Sequence, residues 1–172
     1  MGGAIIGNAG AQGRGIGDIV KWVEVVEPTG ERTVYHHDSI TWVYRYCSLD
    51  SEKKIVVLSC LHLAFENGHD AARMNCMNFW KYRSSQPFLG ERSAGCIFKN
   101  PEGNSAGRLL DVSGCKSLHH GDAHISQKHA NFIINQKNAT CYDVIWLINK
   151  CKDVVKDYAN IDLDLEVKIL GV

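Results

Sequence analysis

Residues 93–101 read Ser-Ala-Gly-Cys-Ile-Phe-Lys-Asn-Pro, and Gly103 and Ser105-Ala-Gly107 follow at once. Glycine costs conformational entropy and is retained where φ is positive or where the backbone must approach something closely. Gly95, Pro101 and Gly103 therefore make this stretch a loop, with Cys96 set in a Gly/Ala turn. A purely structural turn has little reason to gather Cys96, Lys99 and Asn100 in five residues. The pattern reads as a polar ligand site with a candidate proton donor.

The chain has 172 residues, enough for one domain or two small lobes around a real core. Nineteen basic and nineteen acidic residues balance, so no basic field argues for nucleic acid or anionic lipid. The longest apolar run, 55–65, is short of the ~20 residues a membrane-spanning helix needs, and His62 interrupts it. No membrane partner is expected. The first residues lack the basic region of a secretory signal. Seven scattered cysteines, odd in number and without a CxxC pair, argue for reduced thiols in a cytosolic setting. Cys60, Cys141 and Cys151 fall in apolar periodic segments and are expected to fill core.

Along the chain, seven glycines among the first seventeen residues predict a loop system rather than a helix. No spacing there gives G-x-G-x-x-G, and no Gly-Lys-Ser/Thr closes a phosphate loop. The glycines mark either plain turns or backbone held against something flat or phosphorylated. Residues 19–27 and 32–35 read as a hairpin about Pro28-Thr-Gly-Glu31, and 55–65 as a buried strand. A helix is expected from Asn67-Gly68 to about Arg83, stopped by Gln86-Pro87, and a short one over 106–113. Residues 123–126 and 132–135 read as strands flanking a turn. Thr140 with Asp143 three positions on is a capping box, and Val144, Leu147, Ile148, Cys151 and Val155 recur at helical spacing. Residues 163–170 alternate as a strand with Glu166 and Lys168 on one face. The fold class is α+β.

Three side chains stand out chemically. Arg45 lies between Tyr44 and Tyr46, Cys96 sits in the glycine turn, and Glu166 is a carboxylate in the last apolar segment. A cation, a weak acid and a carboxylate suit a substrate that carries a carboxylate and receives a proton beside it. Each has a plainer reading. Arg45 can rest on tyrosine rings at the surface, Cys96 can be inert, and Glu166 can be solvated on an outer face. His36, His37, His119, His120, His124 and His129 raise a metal reading, but no second coherent ligand cluster accompanies them, and no metal is expected.

Taken in order, the segments resemble one family. Met1-Gly-Gly-Ala4 and Asn8-Ala-Gly-Ala11 are similar to the flavin-lining loop of the UDP-N-acetylenolpyruvoylglucosamine reductases, the MurB family. Tyr44-Arg45 with Ser48 resembles that family's Y-R-x-S step, shifted by one residue. Arg83, Gln86-Pro87, the 93–107 stretch, Gly114-x-Lys116, Gly121, Ser126, His129-Ala-Asn-Phe-Ile-Ile-Asn135, Thr140, Asp143-Val144 and Glu166-Val-Lys168 follow in family order. The resemblance runs from residue 1 to 172.

What it implies is the end of a flavin-binding subdomain (1–66) followed by a substrate-binding α+β domain of the MurB C-terminal type (67–172). The implied activity is reduction of UDP-N-acetylglucosamine enolpyruvate to UDP-N-acetylmuramate for cytoplasmic peptidoglycan precursor synthesis, with FAD as cofactor and NADPH as cosubstrate. By position, Cys96 matches the family's proton donor, Arg45 its catalytic arginine and Glu166 its catalytic carboxylate. A thiol, with a reference pKa of ~8.5, is a better acid than an alcohol. Gly2, Gly3, Ala4, Asn8 and Gly10 match cofactor-binding positions, and Lys99 and Asn100 substrate-binding ones. The short 67–70 connection fits the compact type. The resemblance starts inside the Gly-Gly-Ala loop, so the first flavin-binding subdomain is not expected in this chain. FAD is expected to bind weakly or not at all in consequence. The alternative is a catalytically silent remnant that binds a UDP-sugar. Cys115 and Ser117 stand where the family usually has Leu and Gly.

Overall fold

The computed structural model describes residues 1–11, 13–51, 54–62, 68–84 and 90–171. The chain divides into two compact units, Met1–Gly68 and His69–Val172. Both mix helices with antiparallel sheet, as the α+β class requires.

The first unit opens with α1 (Gly2–Ile6), where a loop was expected. Ile5 supplies the reason. It is fully buried in the core of this unit, and that burial offsets the entropy cost of helical glycine. The Cα of Gly2 lies against β7, where a Cβ would come 3.3 Å from the Val56 carbonyl oxygen. A small hairpin, β1 (Gly10–Ala11) with β2 (Arg14–Gly15), leads through one 3₁₀ turn into β3 (Val20–Val26). The turn at 28–31 reverses the chain into β4 (Arg32–His36), with Gly30 at φ +88°. A second small hairpin, β5 (Trp42–Val43) and β6 (Tyr46–Cys47), is followed by α2 (Ser48–Ser51) and β7 (Ile55–Leu61).

β3 is the central strand of the antiparallel order β4-β3-β7. Val20, Val23 and Val25 are its buried positions, and the break from strict alternation coincides with a register shift between Val20 and Trp22. Lys54 is almost wholly buried. It hydrogen-bonds the Tyr35 hydroxyl, lies over the Tyr35 ring, and pairs with Glu27 at 3.4 Å. That pairing is what allows a cation in the interior. The expectation of a buried 55–65 strand is corrected: β7 ends at Leu61, and Ile55 and Leu58 are 65% and 53% exposed. Among the described residues β7 pairs only with β3 and is an edge, and an apolar run does not reveal which strand of a sheet it will be. Leu63, Ala64 and Phe65 lie outside the described residues.

At the boundary of the units begins α3 (Gly68–Ser84), which buries none of its residues. The expected signals at Asn67, Gln86 and Pro87 lie outside the described residues. The second unit continues with α4 (Ala106–Val112), β8 (His119–His120), β9 (Ala123–Ile125), β10 (Ile133–Asn135) and α5 (Cys141–Ala159). The sheet order is β10-β9-β8, all antiparallel, with Ile133 opposite Ile125. Leu147, Ile148, Cys151 and Val155 of α5 and Leu109 and Leu110 of α4 join Ile97, Phe98, Ile125 and Leu163 in one core. Of the three cysteines expected to fill core, only Cys151 is buried; Cys60 is half-buried and Cys141 exposed at the start of α5. Among the described residues no helix is long and apolar enough to cross a membrane.

The expected strand over 163–170 is also corrected. That segment makes a single bridge, Phe98 to Leu165. The amides of both Glu166 and Val167 converge on the Ile97 carbonyl, at 2.8 and 3.4 Å, so two residues oppose one and no regular ladder forms.

The capping box of α5 forms as expected. Asp143 Oδ2 accepts from the Thr140 amide at 2.7 Å and its hydroxyl at 2.8 Å, and the Asp143 amide donates to Thr140 Oγ1. His120 Nδ1 lies 2.9 Å from the other carboxylate oxygen, with its ring stacked on Trp146 at 4.5 Å. Gly121, at φ +52°, passes so close that a Cβ would meet Asp143 Oδ1 at 2.7 Å. The Thr140 amide first, then the Thr140 hydroxyl and His120, hold the Asp143 carboxyl below its ordinary range. A lowered carboxyl pKa adds stability that is complete above the unfolded value, near pH ~4, and is lost as pH falls through the folded value. The urea-midpoint gap between wild type and Asp143→Asn should therefore be constant above about pH 5 and shrink below about pH 4. A gap that persists unchanged to pH 2 would contradict this cap.

Candidate active site

The Cys96 turn is built by Gly95, whose φ of +91° is a conformation that L side chains rarely adopt. From there the chain runs extended between two neighbours. On one side Cys96 bridges Phe132, and the Ile97 amide donates to the Asn131 carbonyl at 3.0 Å. On the other, Ile97 accepts from Glu166, and the Lys99 amide donates to the Asp164 carbonyl at 2.8 Å. Glu166 thus sits across from Ile97, one residue beyond Cys96. Both Cys96 and Glu166 are half-buried.

Asn131 locks this arrangement. It is 3% exposed, its Oδ1 accepts from the Phe98 amide at 2.9 Å, and its Nδ2 donates to the Phe98 carbonyl at 2.8 Å. A side-chain amide here takes the place of a strand neighbour, satisfying both backbone groups of a fully buried Phe98. Asn100 acts one step further along, where its Oδ1 accepts from the Ala106 amide at 3.0 Å and caps α4 beside Ser105. Lys99 is half-buried and Asn100 exposed.

His129 belongs to this region too, and its role was not legible in the sequence beyond its place in a motif. Ser126 Oγ accepts from the Lys128 and His129 amides, which shapes the turn that presents the ring. His129 Nδ1 accepts from the Asn131 amide at 3.2 Å, so its Nε2 carries the hydrogen. The ring stands edge-on to Phe132 and against α4, where a Cβ on Gly107 would meet it at 2.8 Å. Burial is the main cause that pushes the His129 pKa below its ordinary value, with Lys116 adding to it. The sequence signal for it was the absence of a Cβ at Gly107.

In the first unit, Arg45 sits at the turn between β5 and β6 with φ +58°, its guanidinium over the Tyr44 ring at 4.9 Å. Gly2, Gly3 and Ala4 belong to α1. Asn8, at φ +41°, spends its side chain inside the unit: Oδ1 accepts from the Gly17 amide at 3.0 Å and Nδ2 donates to the Val43 carbonyl at 2.9 Å. A Cβ on Gly10 would meet the Arg14 carbonyl oxygen at 2.6 Å, one on Gly15 the Asn8 side chain at 2.6 Å, and one on Gly17 the Trp42 ring at 2.7 Å. The chain's own packing therefore explains these glycines. Cys96, Lys99, Asn100 and Glu166 come from the second unit, Arg45 and the glycine loop from the first.

Residues 86–170 match the family model for the C-terminal domain of UDP-N-acetylenolpyruvoylglucosamine reductase. The chain carries the C-terminal domain of that reductase family. It is 38% identical over 171 residues to the reductase of Moorella thermoacetica, covering 99% of this chain and 56% of the relative. It is also 38% identical over 172 residues to that of Wolbachia pipientis from Culex pipiens, of which it covers 58%. The solved MurB structure from Thermus caldophilus superposes with a TM-score of 0.84 at 35% identity, over 99% of this chain and 60% of that one. The chain spans a little over half the length of these MurB relatives.

Of the positions matched to FAD binding, Gly3 has open space where a Cβ would stand, whereas Gly2 and Gly10 lie against the chain's own backbone. Asn8 is committed to Gly17 and Val43, and the space beside Gly10, Gly15 and Gly17 is filled by the chain itself.

Replacing Asn131 by alanine leaves the amide and carbonyl of Phe98 buried and unpaired. Each such group costs ~1–3 kcal/mol, so Asn131→Ala should lose about 2–4 kcal/mol in urea unfolding. A loss under about 0.5 kcal/mol would show that the clamp contributes nothing.

Proposed function

We propose that this chain supplies the substrate side of a reductase that converts UDP-N-acetylglucosamine enolpyruvate to UDP-N-acetylmuramate in cytoplasmic peptidoglycan precursor synthesis. The observation that carries the reading is the half-buried Cys96 thiol on a glycine turn, with Glu166 hydrogen-bonded through its backbone to the next residue, in a domain similar to that of these reductases. Reducing the enolpyruvyl double bond adds a hydride to one carbon and a proton to the other. On this proposal FAD reduced by NADPH would supply the hydride when bound, and the proton is what this chain provides.

Cys96 gives its thiol proton to the carbon beside the substrate carboxylate. A positioned general acid of this kind contributes ~10²–10⁴-fold to a rate. Glu166 holds the reacting group in line for that transfer, and solvent returns a proton to the thiolate. Arg45 stabilises the negative charge that develops on the carboxylate side. Lys99 and Asn100 bind the substrate, the first by charge and the second through the amide group that also caps α4. The domain assignment follows the same reading: 1–66 as the end of a flavin-binding domain and 67–172 as the substrate-binding domain.

A second reading has its own support. Gly10, Gly15 and Gly17 of the glycine loop are packed against the chain itself, which favours a silent module that binds the UDP-sugar without turnover.

Two measurements separate these. With the UDP-sugar present, Cys96 should become at least tenfold slower to react with iodoacetamide, followed by peptide mass spectrometry, while exposed Cys76 is unchanged. If the UDP-sugar leaves Cys96 reactivity unchanged, both readings fail. With FAD and NADPH added, substrate-dependent loss of absorbance at 340 nm that drops about 100-fold in Cys96→Ala supports the reductase. Protection of Cys96 without any NADPH consumption supports the silent module.

A further inference from the structure

A cavity of about 560 Å³ opens in the second unit, between the first turns of α5, the end of β10, the segment leading into the Cys96 turn and residues 167–170. Its described lining residues include Gly95, Ile97, Val167 and Lys168 but not Cys96, Lys99, Asn100 or Glu166, so it adjoins the candidate active site without sharing those side chains. Ile97, Ile133, Val144, Ile145, Ile148 and Val167 form an apolar wall. Two cationic side chains, Arg92 and Lys168, stand on its edge. Among the described residues that line it there is no Asp or Glu. The size falls in the ~300–1,000 Å³ range of small-molecule sites, and an apolar wall with a few polar groups is their usual make-up.

The polar groups are arranged for an acid. Arg92 spends one Nη1 hydrogen on the Lys137 carbonyl at 3.1 Å, a bond that anchors the guanidinium, and a guanidinium has five donors in all. Asn135 turns its Oδ1 to the Ala139 amide at 3.1 Å, so this acceptor is occupied within the chain. Cations on the rim, no acidic residue in the wall and an apolar interior together select a ligand with one anionic head and an apolar body.

We infer that this cavity binds an apolar monocarboxylate, a fatty-acid-like molecule, with its carboxylate at Arg92 and Lys168 and its chain against α5. The inference stands apart from the proposed reductase chemistry, because its readout is at Cys141, an exposed thiol in the cavity lining, and not at Cys96. A ligand seated there covers Cys141 and leaves Cys76 of α3 as an internal reference.

The test uses the whole chain and three probes, hexanoate, octanoate and decanoate, each below its micellar concentration. Iodoacetamide modification of Cys141 should slow in a saturable way, with the half-protecting concentration falling about fourfold per added methylene. Decylammonium should need at least tenfold more than decanoate. Lys168→Glu, an exposed substitution, should reduce that preference for the acid by about tenfold or more, and Ile145→Trp should abolish protection by filling the cavity. Equal protection by decanoate and decylammonium would overturn the inference, as would equal slowing of Cys141 and Cys76. Failure of all three acids to protect Cys141 would overturn it without touching the reading of Cys96.

Discussion

Phe98 is fully buried, and a buried backbone amide and carbonyl must be paired or they cost stability. No regular strand runs beside it to supply that pairing. Asn131 does so with its side chain, accepting from one group and donating to the other across 33 residues of sequence. The segment leaving the Cys96 turn is thereby fixed against the 131–135 side, and its other edge is left to pair with Asp164 and Glu166. The half-buried thiol and the half-buried carboxylate owe their proximity along the backbone to this clamp. Its neighbours reinforce it: the Asn131 amide donates to His129, and the His129 ring packs on Phe132 and closes against Gly107.

The second unit was the more legible of the two in sequence. Its long helix carried both a start signal and a period, Thr140 with Asp143 and then Leu147, Ile148, Cys151 and Val155, and both are realised. These are local signals, set by residues three or four apart. The 163–170 segment shows where local reading ends. Its alternation is that of a strand, but a ladder needs a regular partner, and the partner is a loop bent by Gly95 and Pro101. The apolar run at 55–61 gave the strand correctly and its burial wrongly, because hydrophobicity does not fix the order of strands in a sheet.

The candidate site was readable in part for the same reason. The Cys96 turn announces itself through Gly95, which the φ of +91° requires. Asn131 stood in view inside a recognisable motif, yet its role as a surrogate strand depends on a contact that no spacing encodes. The glycine loop was the reverse case. Its composition left plain turns and close approach to a ligand both open, and Gly10, Gly15 and Gly17 are each packed closely by the chain itself, by Arg14, Asn8 and Trp42. Asn8 is likewise an internal tie between Gly17 and Val43.

Amide hydrogen exchange in wild type and Asn131→Ala tests the clamp most directly. In the wild type the amides of Ile97, Phe98, Lys99 and Glu166 are all donors in this layer and should be protected together. In Asn131→Ala those four should exchange at least tenfold faster, with the amides of Leu147 to Val155 in α5 changed much less. If Phe98 and Glu166 stay as protected in the variant as in the wild type, Asn131 does not hold the site.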